Sequence, residues 1–330
     1  MLAFSVGAAL IDGLRDSIAV TACVGALAGI GLNIQFGYAG LLNFGHVGSA
    51  LVGAYGTAIV VNSGGSLWLG MVVGILAAGV LGLLMGLPTL RLRADYLAIA
   101  TISVAEILRT VANSARMQSV TGGPIGIGGV ADDFYAINPF PPGRYGWGSF
   151  SYNQNMLWSM VVGWSLVVLA SLGVWGLSRS PWGRLLKAVR EDEEATRSLG
   201  KNVFAMKLQA FVIGSVIGGI AGIIFSFDGG FVKPDFFIAQ TTFNWYLMVI
   251  LGGVATVIGP TVGAIVFWFV ISMLNSLLSQ AIGDSGWWFI ASTDVGAVRY
   301  VLVGAAIALL LVFRPQGIFG NREEAMIGDR

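Results

Sequence analysis

Apolar residues run through this chain in long unbroken stretches rather than in the alternating pattern of strands or the one-sided pattern of surface helices. Residues 17–90 contain no Asp, Glu, Lys or Arg, a run of 74, and residues 145–178, 208–227, 236–283 and 300–313 are also free of them. A helix crossing the hydrocarbon core needs about 20 mainly apolar residues, so the longest windows hold several spans each. Turn residues and charges divide the windows into nine candidate spans, near 17–35, 39–62, 67–90, 96–113, 156–178, 208–227, 241–258, 260–282 and 298–313. Residues 1–11 offer a short tenth, and the glycine-rich 39–62 or 241–258 is alternatively a broken or re-entrant helix, so eight to ten spans are expected. Barrel strands alternate in polarity over about ten residues, and these runs do not. The expected fold class is an all-α polytopic membrane protein, one transmembrane domain over residues 1–330 with lipid around it.

Composition narrows the class further. Of the 330 residues 56% are apolar and 11% charged, against roughly 25% charged in a soluble domain, which excludes a soluble enzyme. Glycine occurs 48 times, about twice the usual roughly 7%, and glycine is common where membrane helices pack closely. A net charge of +1 without a basic patch gives no footprint for nucleic acid. Cys23 stands alone in an apolar run, so there is neither an intramolecular disulfide nor a metal framework. Met1 to Leu10 lacks a basic leading region and reads as part of the mature chain.

Positive charge in short loops sets the orientation. The segment 179–207 carries Arg179, Arg184, Lys187, Arg190, Arg197, Lys201 and Lys207, seven of the 18 basic residues, and is expected in the cytoplasm. Counting spans puts Arg91, Arg93, Arg314 and Arg322 on the same side. The loop 114–155 lies opposite, with Arg116 and Arg144 set against Asp132 and Asp133. At about 40 residues it is too long for a minimal connector. Its glycines, prolines and aromatic residues suit an ordered surface at the outer mouth, for docking or as a lid, against the simpler alternative of a solvated loop.

The segment RSPWGRLLKAVREDEEATRSLGKNVFAMKLQAFV carries the most specific pattern. Pro181 fits the first turn of a helix. Leu185, Leu186 and Val189 recur on one face, with Arg184, Lys187 and Arg190 on the other. Glu191, Asp192, Glu193 and Glu194 then stand at a second helix start, where acid complements the dipole, and Gly200 offers a stop. A solvated linker explains the charge but not this ordering, which suits a short rigid element docked by a cytoplasmic partner.

Glu194-Ala195-Thr196-Arg197-Ser198-Leu199-Gly200 resembles the EAA-x-x-x-G coupling motif of bacterial ABC importer permeases, with Thr196 in place of the second alanine. Together with GYAGLLNFGHVGSALVGAY, LRADYLAIATISVAEILR, TGGPIGI, LGGVATVIGPTVGA and FRPQGIFG, in that order over about residues 30 to 320, the loop resembles the branched-chain amino-acid ABC permease family in its LivM-type subunits. The resemblance implies an ABC importer permease fold in the bacterial inner membrane. It also implies a second related permease subunit, two cytoplasmic ATPases that hold ATP and Mg, and a periplasmic binding protein delivering a hydrophobic amino acid. Glu191 to Gly200 would be the coupling helix and its turn, and the 114–155 loop would help receive the binding protein. Urea permeases look similar, so urea or a short amide is the rival cargo.

Candidate pathway residues follow from polarity inside the spans. His46 is the only histidine; an intramembrane polar residue is a functional candidate or a hydrogen bond between helices. Asn33, Gln35 and Asn43 share both readings. Gly45, Gly48 and Gly53 permit close helix approach, and a broken helix here would present backbone groups to a zwitterion. Gly252, Gly253, Gly259, Pro260 and Gly263 punctuate a second region in the same way. Glu106 and Arg109, three apart on one helical face, form either a self-neutralising pair or a gate. An ion-coupled transporter would place ionisable groups near the bilayer midplane, where almost none occur, and a membrane enzyme would need a His, Cys or acidic cluster. Leu199-Gly200-Lys201-Asn202 lacks the leading glycine and the hydroxyl of a phosphate-binding loop, so no ATP hydrolysis or bound cofactor is expected of this chain.

Overall fold

Polar side chains and glycine turns punctuate the apolar windows, and helices fill the space between. The computed structural model describes residues 6–282, 301, 304–305 and 316–320. In chain order the helices are α1 (Val6–Ser17), α2 (Val20–Asn33, extended by a π-helical turn, Ile34–Tyr38), α3 (His46–Asn62), α4 (Leu67–Thr89), α5 (Ala94–Ala112), the short α6 (Gln118–Thr121) and α7 (Asp132–Ala136), α8 (Gln154–Arg179), α9 (Pro181–Glu191), α10 (Glu193–Ser198), α11 (Val203–Gly229), α12 (Ala239–Gly252) and α13 (Gly259–Ile282). Ser66 and Asn153 cap α4 and α8 by accepting from the Leu69 N–H at 3.3 Å and the Met156 N–H at 2.7 Å. Each side chain satisfies a donor left over at a helix start.

Among the described residues five helical runs are long and apolar enough to cross a bilayer: Val20–Tyr38, Leu67–Thr89, Gln154–Arg179, Val203–Gly229 and Gly259–Gln280. A sixth is made by Asp95–Ala112 with Ala115–Thr121, bent by 62°. The other expected windows differ for physical reasons. In 39–62 the helix starts only at His46 and has 17 residues; in 241–258 it stops at Gly252 after 14. At 1.5 Å per residue these reach about 25 and 21 Å, short of the roughly 30 Å hydrocarbon core. Both windows are therefore broken. The window 298–313 falls almost wholly outside the described residues. The 12 residues of α1 lie along α13, where Ser272 donates to the Asp16 carboxylate at 2.6 Å and Ser276 to that of Asp12 at 2.9 Å.

α2 sits at the centre of the bundle, with 89% of its apolar window buried by the rest of the chain. α11 packs against it and against α3 and α4. On α4, small residues face inward (Gly70, Gly74, Ala78, Gly82) while Trp68, Leu76 and Leu84 point outward. Lipid is as apolar as leucine, so close packing of small residues, not burial of large ones, draws such helices together. At Gly222 of α11 a methyl group would collide with the Ala50 carbonyl of α3, and at Gly53 one would collide with Gly219.

The 114–155 loop packs as a cap at the end of α8 opposite to 179–207. Strand β1 (Ile127–Gly128) is followed by a hairpin of β2 (Arg144–Trp147) and β3 (Phe150–Asn153), and β1 pairs antiparallel with β4 (Phe231–Val232) beyond the end of α11. Phe134 stacks on Phe227 at 4.5 Å, and Tyr135 donates to the Phe227 carbonyl. Tyr152 donates to the Arg15 carbonyl at 2.6 Å, and burial pushes its phenol up to about 12, so it remains a donor at every physiological pH.

If glycine contacts set the helix spacing, Gly222→Val lowers the thermal unfolding midpoint of the detergent-solubilised protein by several degrees, an overpacking cost of about 1–3 kcal/mol. Gly173→Val on α8, where an added Cβ meets nothing within 4 Å, leaves it within about a degree, because surface changes cost little.

Candidate functional site

The site grows from the break between α2 and α3. After the π turn the chain leaves helical geometry, with Gly40 at φ +69°, and returns to it at His46. Inside a membrane every freed backbone group needs a protein partner, and here side chains from three elements supply them. Asn43 accepts from the Gly45 N–H at 3.1 Å, Thr101 of α5 from the Phe44 N–H at 3.1 Å, and Thr242 of α12 from the Val47 N–H at 3.0 Å. The Asn43 amide donates to Gln35 Oε1 at 2.9 Å, and Gln35 donates to the Phe211 carbonyl of α11 at 2.8 Å. Asn43 and Gln35 are fully buried. Gly45 and Gly48 press on Thr101 and Ala105 of α5.

His46 is different. Its ring is fully buried and neither nitrogen has a hydrogen-bond partner among the described residues. The Ala28 carbonyl of α2 lies close to the ring. The Trp245 ring stands edge-on at 5.8 Å, and Gly31 and Gly218 leave the space the imidazole occupies, since a Cβ there would lie 3.2 and 2.8 Å from Nε2.

A second break follows α12 and is closed by the same central helix. Asn33 of α2 donates to the Thr256 carbonyl at 2.8 Å and accepts from the Ala255 N–H at 2.9 Å. It thereby holds Ala255 at φ +59°, a conformation rare for a residue with a Cβ. The Gly252 backbone abuts Gly259, and Gly253 adopts φ +119°. The Ile318 and Phe319 N–H groups donate to the Leu251 and Gly252 carbonyls, both at 3.0 Å, so residues 316–320 cap α12.

The charged loop lies under the first break. Ser180 caps α9 with Pro181 in its first turn, Leu186 and Val189 are buried, and Asp192 caps α10 by accepting from the Ala195 N–H at 2.9 Å. Glu193 binds Arg197 at 2.9 Å and also Lys207, so it is held within the loop. Glu191, Asp192, Glu194 and Ala195 are exposed, and Gly200 sits at φ +74° with open space around it. Thr196 faces inward and donates to the Asp192 carbonyl at 2.8 Å. Two residues gain roles here that the sequence did not show. Leu199 is 79% exposed beside Gly200. Arg190 donates to the Gly37 carbonyl in the π turn at 2.6 Å, and Lys187 lies 5.8 Å from the centre of the Tyr38 ring. Amphipathic spacing identified the face of Arg190 but not its partner.

Glu106 and Arg109 lie apart from both breaks. They form a bidentate pair at 2.5 and 3.0 Å, joined by Asp235 at 3.5 Å from Arg109. Among the described residues no His, Cys, Asp and Glu cluster suits a metal ion.

A multi-pass bundle with two broken helices around a buried centre, and a charged helical loop at one end, has the architecture of a transport permease. Residues 14–313 match the family model described as the branched-chain amino acid transport system / permease component, and the chain belongs to that family. It is 30% identical over 312 residues to the high-affinity branched-chain amino acid transport system permease protein LivM of Escherichia coli, covering 91% of this chain and 69% of that one. It is 27% identical to a probable LivM permease of Methanocaldococcus jannaschii, over 76% of this chain and 69% of that one. The autoinducer 2 import system permease protein LsrC of Photorhabdus laumondii is 29% identical over 42% of each chain. Among solved structures, PsaBC from Streptococcus pneumoniae in complex with Fab aligns over 98% of this chain and 99% of that one at 15% identity and a TM-score of 0.41, too distant a likeness to bear on function. The chain is a multi-pass inner-membrane permease subunit of an ABC importer.

Asn43→Ala strands Gln35 Oε1 and the Gly45 N–H and lowers stability by about 1–3 kcal/mol, read as a fall in the unfolding midpoint in detergent. Asn62→Ala, at the exposed end of α3, leaves the midpoint unchanged.

Proposed function

We propose that this subunit moves branched-chain or other hydrophobic amino acids into the cytoplasm by alternating access driven by ATP on partner ATPases. The chain itself hydrolyses nothing; ATP and Mg stay on those partners. The observation that carries the reading is the Arg190–Gly37 bond, which ties the charged loop to the π turn beneath the first break. A π turn is an α-helix under local strain, found often at functional sites, and movement of α9 would pull on it directly. The cargo rests on the relatives, whose names specify branched-chain amino acid transport.

In this reading the seven basic residues of 179–207 face the cytoplasm. Glu191, Asp192, Glu194, Ala195, Leu199 and Gly200 form the surface an ATPase grips, and Glu193 stiffens the loop from within. A second related permease completes the translocation path, with Asn43, Gly45, His46 and Gly48 at one break and Gly252 and Gly253 at the other. The Glu106–Arg109 pair is neutral and structural. A periplasmic binding protein docks on the opposite end, where Ile125 and Trp147 are 77% and 93% exposed.

Ala195→Trp or Gly200→Pro is expected to cut ATP-dependent leucine uptake at least about tenfold in proteoliposomes holding both permeases, the ATPases and the binding protein, the equivalent of some 1.4 kcal/mol. The amount of chain in the membrane stays normal, because both positions are exposed. Unchanged uptake in both variants would refute the assignment of the loop, and uptake of urea in place of leucine would replace the cargo.

A further inference from the structure

Between the 114–155 ends of α2 and α11, the start of α12 and the middle of α13 lies a cavity of about 180 Å³. Five aromatic rings wall it: Phe225, Phe236, Phe237, Trp245 and Trp268. Polar groups also reach it, among them Thr241, which donates to the Phe236 carbonyl at 3.4 Å. The Trp268 indole nitrogen is buried without a hydrogen-bond partner among the described residues. Thr21 and Asn244 line the cavity as well, and their side chains carry no hydrogen bond among the described residues.

Each of these features is unfavourable when left empty. An orphaned buried N–H forfeits a hydrogen bond, and rings facing empty space lose dispersion contacts. A ligand with a compact apolar body and a polar end removes both defects. We infer that this cavity is a binding pocket, within a single subunit, for one free aliphatic amino acid, an inference that rests on the transport reading above. The branched side chain packs among the phenylalanine rings. The carboxylate accepts from the Trp268 N–H and the Asn244 amide, and the ammonium donates to the Thr21 and Asn244 oxygens. Because the amino acid carries both charges, its polar end needs both donors and acceptors, which the Asn244 amide and the Thr21 hydroxyl supply and to which the Trp268 N–H adds a further donor. The pocket is joined to the first break through Trp245, whose ring lines the cavity and stands edge-on to His46 at 5.8 Å. A ligand seated there touches the ring that rests on the helix break.

Tritiated leucine binding to the nanodisc-reconstituted transporter, without ATP and without the binding protein, tests this directly. The pocket predicts saturable binding of about one leucine per chain, displaced by isoleucine and valine but not by urea. Trp268→Phe and Asn244→Ala each weaken it at least about tenfold, the loss of one hydrogen bond to a charged group. Thr21→Phe, which fills the space, abolishes it. Trp268→Phe, the mildest change, also reduces the leucine-dependent shift in tryptophan fluorescence to the part carried by Trp245, while the protein still elutes as a single species. Wild-type affinity in all three variants, in a transporter that still takes up leucine, overturns the pocket and leaves the transport reading standing. Binding of urea but not leucine by the wild type overturns both.

Discussion

Every backbone N–H and C=O that leaves helical pairing inside a bilayer must find a partner in the protein, because lipid offers none. The rest of this structure depends on that requirement. Among the described residues the chain breaks its helices twice within the bundle, after Tyr38 and after Gly252, and at each break polar side chains help take over the role of the missing intrahelical bonds. Asn43, Thr101 and Thr242 hold the start of α3; Asn33 and the 316–320 tail hold the end of α12. Asn33 and Gln35, two residues apart on α2, serve the two breaks separately. The helix most deeply buried is thus also the one that anchors both irregular segments.

Such breaks are tolerated only if the surrounding helices come close enough for short side chains to reach. Glycine makes that approach possible at the α3–α11 contact, where Gly222 lies on the Ala50 backbone and Gly53 on Gly219. Close packing and polar satisfaction are therefore one device: small residues bring the backbones together, and asparagine and threonine complete the hydrogen bonds. His46 stands outside this economy, buried in a glycine-lined space with neither nitrogen hydrogen-bonded among the described residues. Trp245 links it to the aromatic cavity.

Much of the architecture was legible in the sequence because it is written locally. Charge-free windows marked the membrane helices, and Pro181, the acidic run from Glu191 to Glu194 and Gly200 marked the ends of α9 and α10 within a residue or two. The glycine-rich windows 39–62 and 241–258 were recognisable as places for a break. Where each helix stops was not legible, since that depends on partners far along the chain: Arg190 reaches Gly37 across 153 positions, and Asn33 reaches Ala255 across 222. Asn43 looked equally suited to a pathway or a packing role, and only its bonds to Gln35 and Gly45 reveal the backbone it supports. In the sequence Leu199 is only one position of the motif ending at Gly200, and its exposure shows only once the fold is known.

The account turns on the mechanical tie between the charged loop and the helix break. Its most direct test is the ratio of leucine taken up to ATP hydrolysed by the assembled transporter in proteoliposomes carrying Arg190→Ala, with Arg190→Lys beside it. If Arg190 transmits motion to the π turn through the Gly37 carbonyl, hydrolysis continues while uptake per ATP falls at least about tenfold in the alanine variant and is partly restored by lysine, which retains a donor. Uptake per ATP equal to wild type in Arg190→Ala would contradict it.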